Sequence, residues 1–524
     1  MTGMHVTGTY FDRYPNRMVM NFFSRDWVNI LIVLLLSSLL TFWRLGQFPL
    51  NEWDESRRGM NALGMIEHHD FINAWYGDYY ETWAAKPPLM IWSVVLSYQL
   101  FGYNEFALRF PSALCTVLFF IVFYLLIRQY KGPLFSLLSC LILMSVSGII
   151  GYHVGRTGDT DAMLVCLLTV CIFFFLRFVD HHKDYAAYLS AVFLALAFYT
   201  KSFAALQVIP GMVLFVILRR KLSWLAGRVH SWTSLILCCC LIASWFVILM
   251  VYGVQFEKSV VMGHNMLEQM INYDLFWRLT TVPEGESYNL FFIIPVLDIT
   301  FNIWNYLFYV ALILGIWKIF INRKKITEYI SLPENQLMLL SCCLCLTIIP
   351  LFSLAAFKRT WYYAPLLPFI TIITMYGISF FIRRFPVTQY ILILLVLLTL
   401  GHKFVLQNTF DQGYKGFLDQ HRQLLAGAEE ITCIGYPPQD VFLYLHWYNR
   451  NVHLVNDSKM INTINQGVLV FKERFKELID QKLVTDPLWC YKELCVGLVI
   501  PVHQEDQRLS DAAGLALYSE GITP

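Results

Sequence analysis

The sequence predicts an all-α polytopic membrane protein of roughly 11–13 transmembrane helices, followed by a small C-terminal α/β domain. Three observations point there. Hydrophobic residues make up 57% of the 524-residue chain and charged residues only 15%, with a mean hydropathy of +0.53, far from the soluble average. Apolar runs long enough to cross a bilayer recur between residues 27 and 405. Beyond residue 405 the runs become short and are bounded by turn residues, as strands are.

The N-terminus carries Arg13, Arg17 and Arg25 before the apolar run 27–43. No small-residue cleavage site follows, so this reads as an uncleaved first span. Further spans are predicted at 110–127, 134–152, 162–179, 185–200, 202–218, 232–252, 303–321, 337–354, 364–382 and 388–405. The run 89–101 is too short for a comfortable crossing and is predicted to lie on, or dip into, the outer leaflet. The apolar patch 291–297 is equally short, and counting both gives the upper number.

The loops alternate in charge. Arg128 with Lys131, Arg177 with Lys183, Arg219–Arg220–Lys221, Arg323–Lys324–Lys325 and Arg383–Arg384 share a side with the basic N-terminus. Short loops rich in Lys and Arg stay cytoplasmic. The expected location is therefore the plasma (cell inner) membrane, multi-pass, with the N-terminus cytoplasmic and the C-terminal domain extracytoplasmic. The chain divides into a transmembrane domain, 1–405, whose outer loop 44–109 holds the candidate chemistry, and an outer domain, 406–524. In the latter, 431–455 reads as strand–helix–strand, with later strand-like runs at 467–471 and 495–502.

Most of the 13 cysteines lie in apolar stretches, where thiols behave as small apolar side chains. Cys433, Cys490 and Cys495 fall in the polar C-terminal region, and Cys490 and Cys495 can pair if that region faces an oxidising compartment. The net charge of +2 says nothing about nucleic acid, and with no basic tract and no Gly-rich phosphate loop no nucleic-acid partner is expected.

The first outer loop concentrates ionisable groups beside a bilayer, where charge is costly unless it is paired, hydrated or used. Asp54 and Glu55 suit catalysis of sugar transfer, where a carboxylate accepts a proton or steadies positive charge at the sugar carbon. The alternative is that these acids open a juxtamembrane helix, close to its positive end. In GRTGDTDAM, Asp159 and Asp161 are spaced to hold a divalent cation or to face the first loop's acids, and Asp159 also suits a helix cap. Arg57, Arg58, Lys86, Lys201, Lys358 and Arg359 are cations on the side that the positive-inside rule disfavours, and fixed cations stabilise a departing lipid phosphate. Snorkelling beside Trp361–Tyr362–Tyr363 is the other reading of Lys358 and Arg359. His264 is a metal ligand or a satisfied interfacial histidine, and Glu81 is a further carboxylate in the first loop.

These pieces, in this order, resemble the GT-C superfamily of polyprenyl-phosphate-sugar glycosyltransferases. The likeness is greatest to the branch shared by the lipid A aminoarabinose transferase and the protein O-mannosyltransferases. The resemblance rests on Asp54–Glu55 with Arg58, KPPL at 86–89, NEFALRFPSA at 104–113 and RTGDTDA at 156–162. TKS at 200–202, His264 and KRTWYYAPLLP at 358–368 complete it. It implies a sugar on a polyprenyl phosphate, transferred with inversion outside the cytoplasm to a lipid A, glycan or protein hydroxyl, among membrane lipids. Asp54 would be the catalytic carboxylate, with Glu55 and Asp161 beside it. Arg58 and Lys86 would face the donor phosphate, supported by Arg57, Lys201, Lys358 and Arg359. The resemblance also implies a divalent metal, for which His264, Glu81 and Asp159 are candidates; no other cofactor is expected. The aminoarabinose transferases commonly place a glutamate directly before the lysine of KPPL, where this chain has Ala85. A lipid flippase or transporter is the competing class, but it should carry charges within spans and often paired repeats.

Overall fold

The computed structural model describes residues 23–81, 86–151, 153–254, 265–282, 289–321, 328, 331–385, 387–406, 411–434, 437–449, 451–455, 467–475, 479 and 484–500. Ala85 and His264 lie outside them.

Helix α1 spans Asp26–Phe42, α2 Asp54–Glu67, α3 Leu89–Phe101, α4 Glu105–Arg128, α5 Pro133–Ser145, α6 Asp161–His181 and α7 Asp184–Lys201. Next come α8 Ile209–Leu218, α9 Val229–Tyr252, α10 Trp304–Ile321, α11 Gln336–Leu354, α12 Leu367–Arg384 and α13 Thr388–Leu406. Among the described residues, eight helical stretches are long and apolar enough to cross a membrane, so the chain is a multi-pass membrane protein. One of them, Asp184–Leu218, contains two of the expected spans, divided where Ser202 adopts φ 44°. Helices α1 and α5 are shorter apolar helices of 17 and 13 residues.

Two boundaries differ from expectation. The span expected at 134–152 stops at Ser145, because Gly148 packs where a Cβ would come within 2.7 Å of Thr300 and its N–H bonds the Thr300 carbonyl. The span expected at 364–382 begins as a 3-10 turn, Thr360–Leu366, and becomes α-helical only after Pro365. The 89–101 run is a helix of 13 residues, α3, packed on α2 and α4. Ile293–Thr300, in the other short patch, has only eight residues and cannot cross.

Helix α6 is the most enclosed span and contacts α4 and α7, whereas α9, α10 and α13 expose most of their apolar surface. That is expected of helices facing lipid.

The C-terminal domain comprises α14 Gly413–Gln420, α15 Arg422–Gly427 and α16 Gln439–Tyr448 over a sheet. Besides a two-stranded ribbon in the first outer loop (β1 Trp75–Tyr76, β2 Tyr79–Tyr80), the strands are β3 Ile431–Ile434, β4 Val452–Val455, β5 Val468–Lys472, β6 Val484–Tyr491 and β7 Leu494–Ile500. Their order is β4-β3-β5-β7-β6. Strand β3 is parallel to β4 and β5, while β7 is antiparallel to β5 and β6. Sequence patterning missed β6, whose apolar alternation is broken by Asp486 and Pro487. The pairing register shifts between Thr485 and Leu488, and β6 lies at the sheet edge, where such an interruption is tolerated. Cys490 and Cys495 are bonded across the β6–β7 pair.

One hydrophobic core joins this domain to the first outer loop: Leu50, Met60 and Val94 share it with Ile431, Leu443 and Val496. The domain boundary at 405 is thus a boundary of composition, not of packing.

Candidate active site

Helix α2 begins abruptly. Trp53 precedes it with φ 70°, a conformation disfavoured for a bulky residue, and no side chain caps the helix. Asp54, in its first turn, remains about one-third exposed. Asp54 and Glu55 thus open the helix at its positive end, as the alternative reading has it, although neither side chain makes a cap hydrogen bond.

Glu55 is different. Its carboxylate receives Arg109 Nε at 2.6 Å, Arg109 Nη2 at 3.0 Å, Asn51 N and Nδ2 at 2.8 Å each, and Gly158 N at 2.9 Å. Both Glu55 and Arg109 are buried. A carboxylate so fully hydrogen-bonded has no lone pair free for a substrate proton. These bonds tie Glu55, and with it α2, to α4 and to the 156–161 turn.

Arg57 forms a bidentate pair with Glu81, at 2.7 and 3.1 Å. Each neutralises the other, a charge-assisted pair within the first outer loop. Lys201 lies 2.6 Å from both oxygens of Asp161 in a buried pair. The pair fixes the start of α6 against the end of α7. Lys358 donates to the Ala355 carbonyl at 2.5 Å, and Arg359 lies over the Phe357 ring at 4.2 Å. Buried Lys358 does not snorkel; it shapes the turn that carries Trp361 and Tyr362.

Arg58 and Lys86 form no ion pair among the described residues. Arg58 is 3% exposed, and its Nε is buried with no hydrogen-bond partner among the described residues. Burial, then the charges of Arg58 and Arg278, push the Lys86 ammonium down to about 8. Arg278 is a site residue that sequence reasoning missed. It donates to Tyr362 Oη at 2.7 Å and pairs with Asp274 at 3.2 Å, while its Nε is buried and unpartnered. The signal available was one arginine in the aromatic stretch 273–278, remote from every motif.

His153 was also missed. It holds φ 65°, stacks on Trp361 with ring centroids 3.6 Å apart, and its Nδ1 lies 3.0 Å from Asp159 and 3.9 Å from Asp54. The ligand atoms of Asp54, His153 and Asp159 all lie within 4.8 Å of one another, a spacing that suits a single cation. Burial pushes the Asp159 carboxyl up, but the His153 hydrogen bond and the charges of Lys201, Arg58 and Lys86 outweigh it and leave the group below the usual carboxylate range. Asp159 bonds the Thr160 N–H rather than capping the next turn of α6.

Residues 85–248 match the family described as dolichyl-phosphate-mannose-protein mannosyltransferase. Over 90% of this chain and 97% of the other, the structure resembles the crystal structure of ArnT from Cupriavidus metallidurans bound to undecaprenyl phosphate, with a TM-score of 0.67 at 14% identity. The fold is that of this ArnT structure. In sequence, an uncharacterized protein of Aquifex aeolicus is 28% identical over 203 residues, covering 38% of this chain and 40% of that protein. An undecaprenyl phosphate-alpha-4-amino-4-deoxy-L-arabinose arabinosyl transferase of Pseudomonas savastanoi pv. phaseolicola is 28% identical over 205 residues, covering 38% and 37%. The matches span two fifths or less of these relatives' lengths. The resemblance read from the ordered motifs therefore holds. The motif residues divide into ion-paired ones (Glu55, Arg57, Asp161, Lys201) and Asp54, Arg58, Lys86 and Asp159, whose charges act on one another.

Proposed function

We propose that this chain is an integral-membrane glycosyltransferase that moves a hexosyl or pentosyl group from a polyprenyl phosphate to an acceptor hydroxyl on the extracytoplasmic face. One observation carries the reading. A buried arginine with an unpartnered nitrogen, Arg58, shares its field with Lys86 and Arg278, beside the exposed carboxylate of Asp54. Like charges gathered away from water are costly without an anion between them, and a phosphate supplies it.

The chemistry follows. Asp54 accepts the proton of the acceptor hydroxyl as its oxygen bonds to the anomeric carbon. The carbon–oxygen bond to the phosphate breaks, and its electron pair stays on the phosphate. Arg58, Lys86 and Arg278 are in place before that charge develops, which is why they lower the barrier. Attack opposite the leaving group inverts the anomeric carbon. Asp54, His153 and Asp159 would hold a divalent cation, since two carboxylates and an imidazole suit a borderline metal, and a bound ion would supply positive charge against the phosphate. The family's own acid–histidine pair is not matched, because Ala85 stands at the acid's position.

The relatives support a polyprenyl-phosphate donor: one is named for undecaprenyl phosphate-linked aminoarabinose, and ArnT was solved with undecaprenyl phosphate. They give no support to a flippase. The acceptor is a lipid A, glycan or protein hydroxyl. The outer placement of the site and the C-terminal domain, and the cytoplasmic N-terminus, are supported by the alternating basic loops and by the Cys490–Cys495 bond, since disulfides persist in oxidising compartments.

Mass spectrometry of lipid A and surface glycans, with and without the gene, tests the proposal. Loss of one glycosyl increment, restored by the intact gene and not by Asp54→Asn, is expected. Identical glycan profiles in all strains would refute it.

A further inference from the structure

Tyr444, on α16 of the C-terminal domain, sits far from Asp54 in sequence yet holds the segment that delivers it. Its hydroxyl accepts the Leu50 N–H at 3.0 Å and donates to Glu105 at 3.2 Å. Lys415, also from the C-terminal domain, pairs with the same Glu105 oxygen at 2.6 Å. Glu105 and Arg109 lie one turn apart on α4, and Arg109 holds the carbonyls of Leu45, Phe48 and Pro49 at 2.8–3.0 Å. The irregular stretch 45–50, which has no sheet or helix partner of its own, is therefore gripped by α4 on its carbonyl side and by Tyr444 on its N–H side.

What the grip restrains is strained. Trp53 at φ 70° lies three residues beyond Leu50 and directly before Asp54. Such a conformation is strained for a bulky residue and persists only where its surroundings over-determine it. The packing is correspondingly close: a Cβ at Gly59 would come within 2.5 Å of Leu443, so α16 rests directly on the α2 backbone one turn beyond Asp54. Tyr76 stacks on Phe442 with ring centroids 5.2 Å apart.

We infer that the C-terminal domain is a working part of the active site, with Tyr444 as a positioning residue that sets the approach of the Asp54 carboxylate through Leu50 and Glu105. The inference rests on the transferase reading. It gives the outer domain a role that neither the motifs nor the relatives assign. A misplacement near 1 Å costs on the order of 100-fold in rate, so partial loss of the grip is felt in turnover, whereas donor-phosphate binding through Arg58 and Lys86 is left in place.

The test compares full-length variants in one assay with a polyprenyl-phosphate-linked sugar. Tyr444→Phe keeps the ring and deletes only the hydroxyl. Its kcat, normalised to folded protein, should fall about 10-fold with the donor KM within about twofold of wild type. Phe442→Leu removes the Tyr76 stacking and spares the hydroxyl, so it should lower the melting temperature with little change in kcat. Asp54→Asn reports separately on the underlying reading. An inactive Asp54→Asn beside a fully active Tyr444→Phe overturns the positioning role alone. An active Asp54→Asn overturns the transferase assignment of Asp54. If Tyr444→Phe and Phe442→Leu lose kcat in the same proportion to melting temperature, Tyr444 is ordinary packing and the inference fails.

Discussion

Glu55→Gln separates an anchor from a catalyst. The carboxylate and Arg109 are each no more than 2% exposed and meet at 2.6 and 3.0 Å. Removing one partner of a buried pair leaves the other charge uncompensated and costs about 3–5 kcal/mol. The amide keeps the shape and one acceptor oxygen, but its NH2 faces donors from Asn51 or Gly158, which adds to the loss. Thermal and denaturant unfolding of the detergent-solubilised variant should show marked destabilisation, and kcat per folded molecule should fall together with it, because the anchor beside Asp54 is loosened. Adding Arg109→Gln should cost less than the sum of the single changes, because no charge is then stranded. Wild-type stability with abolished turnover would refute the argument and restore Glu55 as a catalytic group.

Asp54→Asn should abolish transfer while leaving the melting temperature nearly unchanged, because the residue is partly exposed and caps nothing; retention of more than about a tenth of activity, ~1.4 kcal/mol in barrier, would exclude an essential role. Donor kcat/KM should fall as pH rises through about 8, where Lys86 loses the proton that binds phosphate. Stability of the donor-free protein should move the other way. The folded value lies below the ordinary 10.5, so the unfolded chain binds more protons between about 8 and 10.5 and stability rises across that window; Lys86→Met should flatten both trends. Arg58→Ala should raise the donor KM, with only partial rescue by Arg58→Lys, whereas Arg57→Ala should lower the melting temperature and leave donor dependence alone, as its bond to Glu81 requires; the reverse pattern in donor-concentration curves would exchange their roles. Cysteines placed at Asn51 and Gln412 should label without permeabilisation, and labelling only afterwards would overturn the outer placement.

Much of this protein was legible in one dimension. Apolar run length marks the spans, because a bilayer sets a fixed thickness to cross. Basic loops suggest their orientation, and ordered short motifs carry the GT-C likeness. Motif membership cannot tell which charge meets which. Glu55 and Asp54 are adjacent, yet a helix turns successive side chains by about 100°, so one is sealed under Arg109 and the other faces outward. Arg57 and Arg58 divide in the same way, one paired with Glu81 and the other with a buried Nε that meets no partner among the described residues. His153 and Arg278 belong to no motif and join the site only because the 147–160 turn and the segment Arg278–Thr280 fold back onto it. Tyr444 was beyond sequence reasoning altogether. Its partners at Leu50 and Glu105 lie more than 300 residues away, and only the packing of α16 on α2 brings them together.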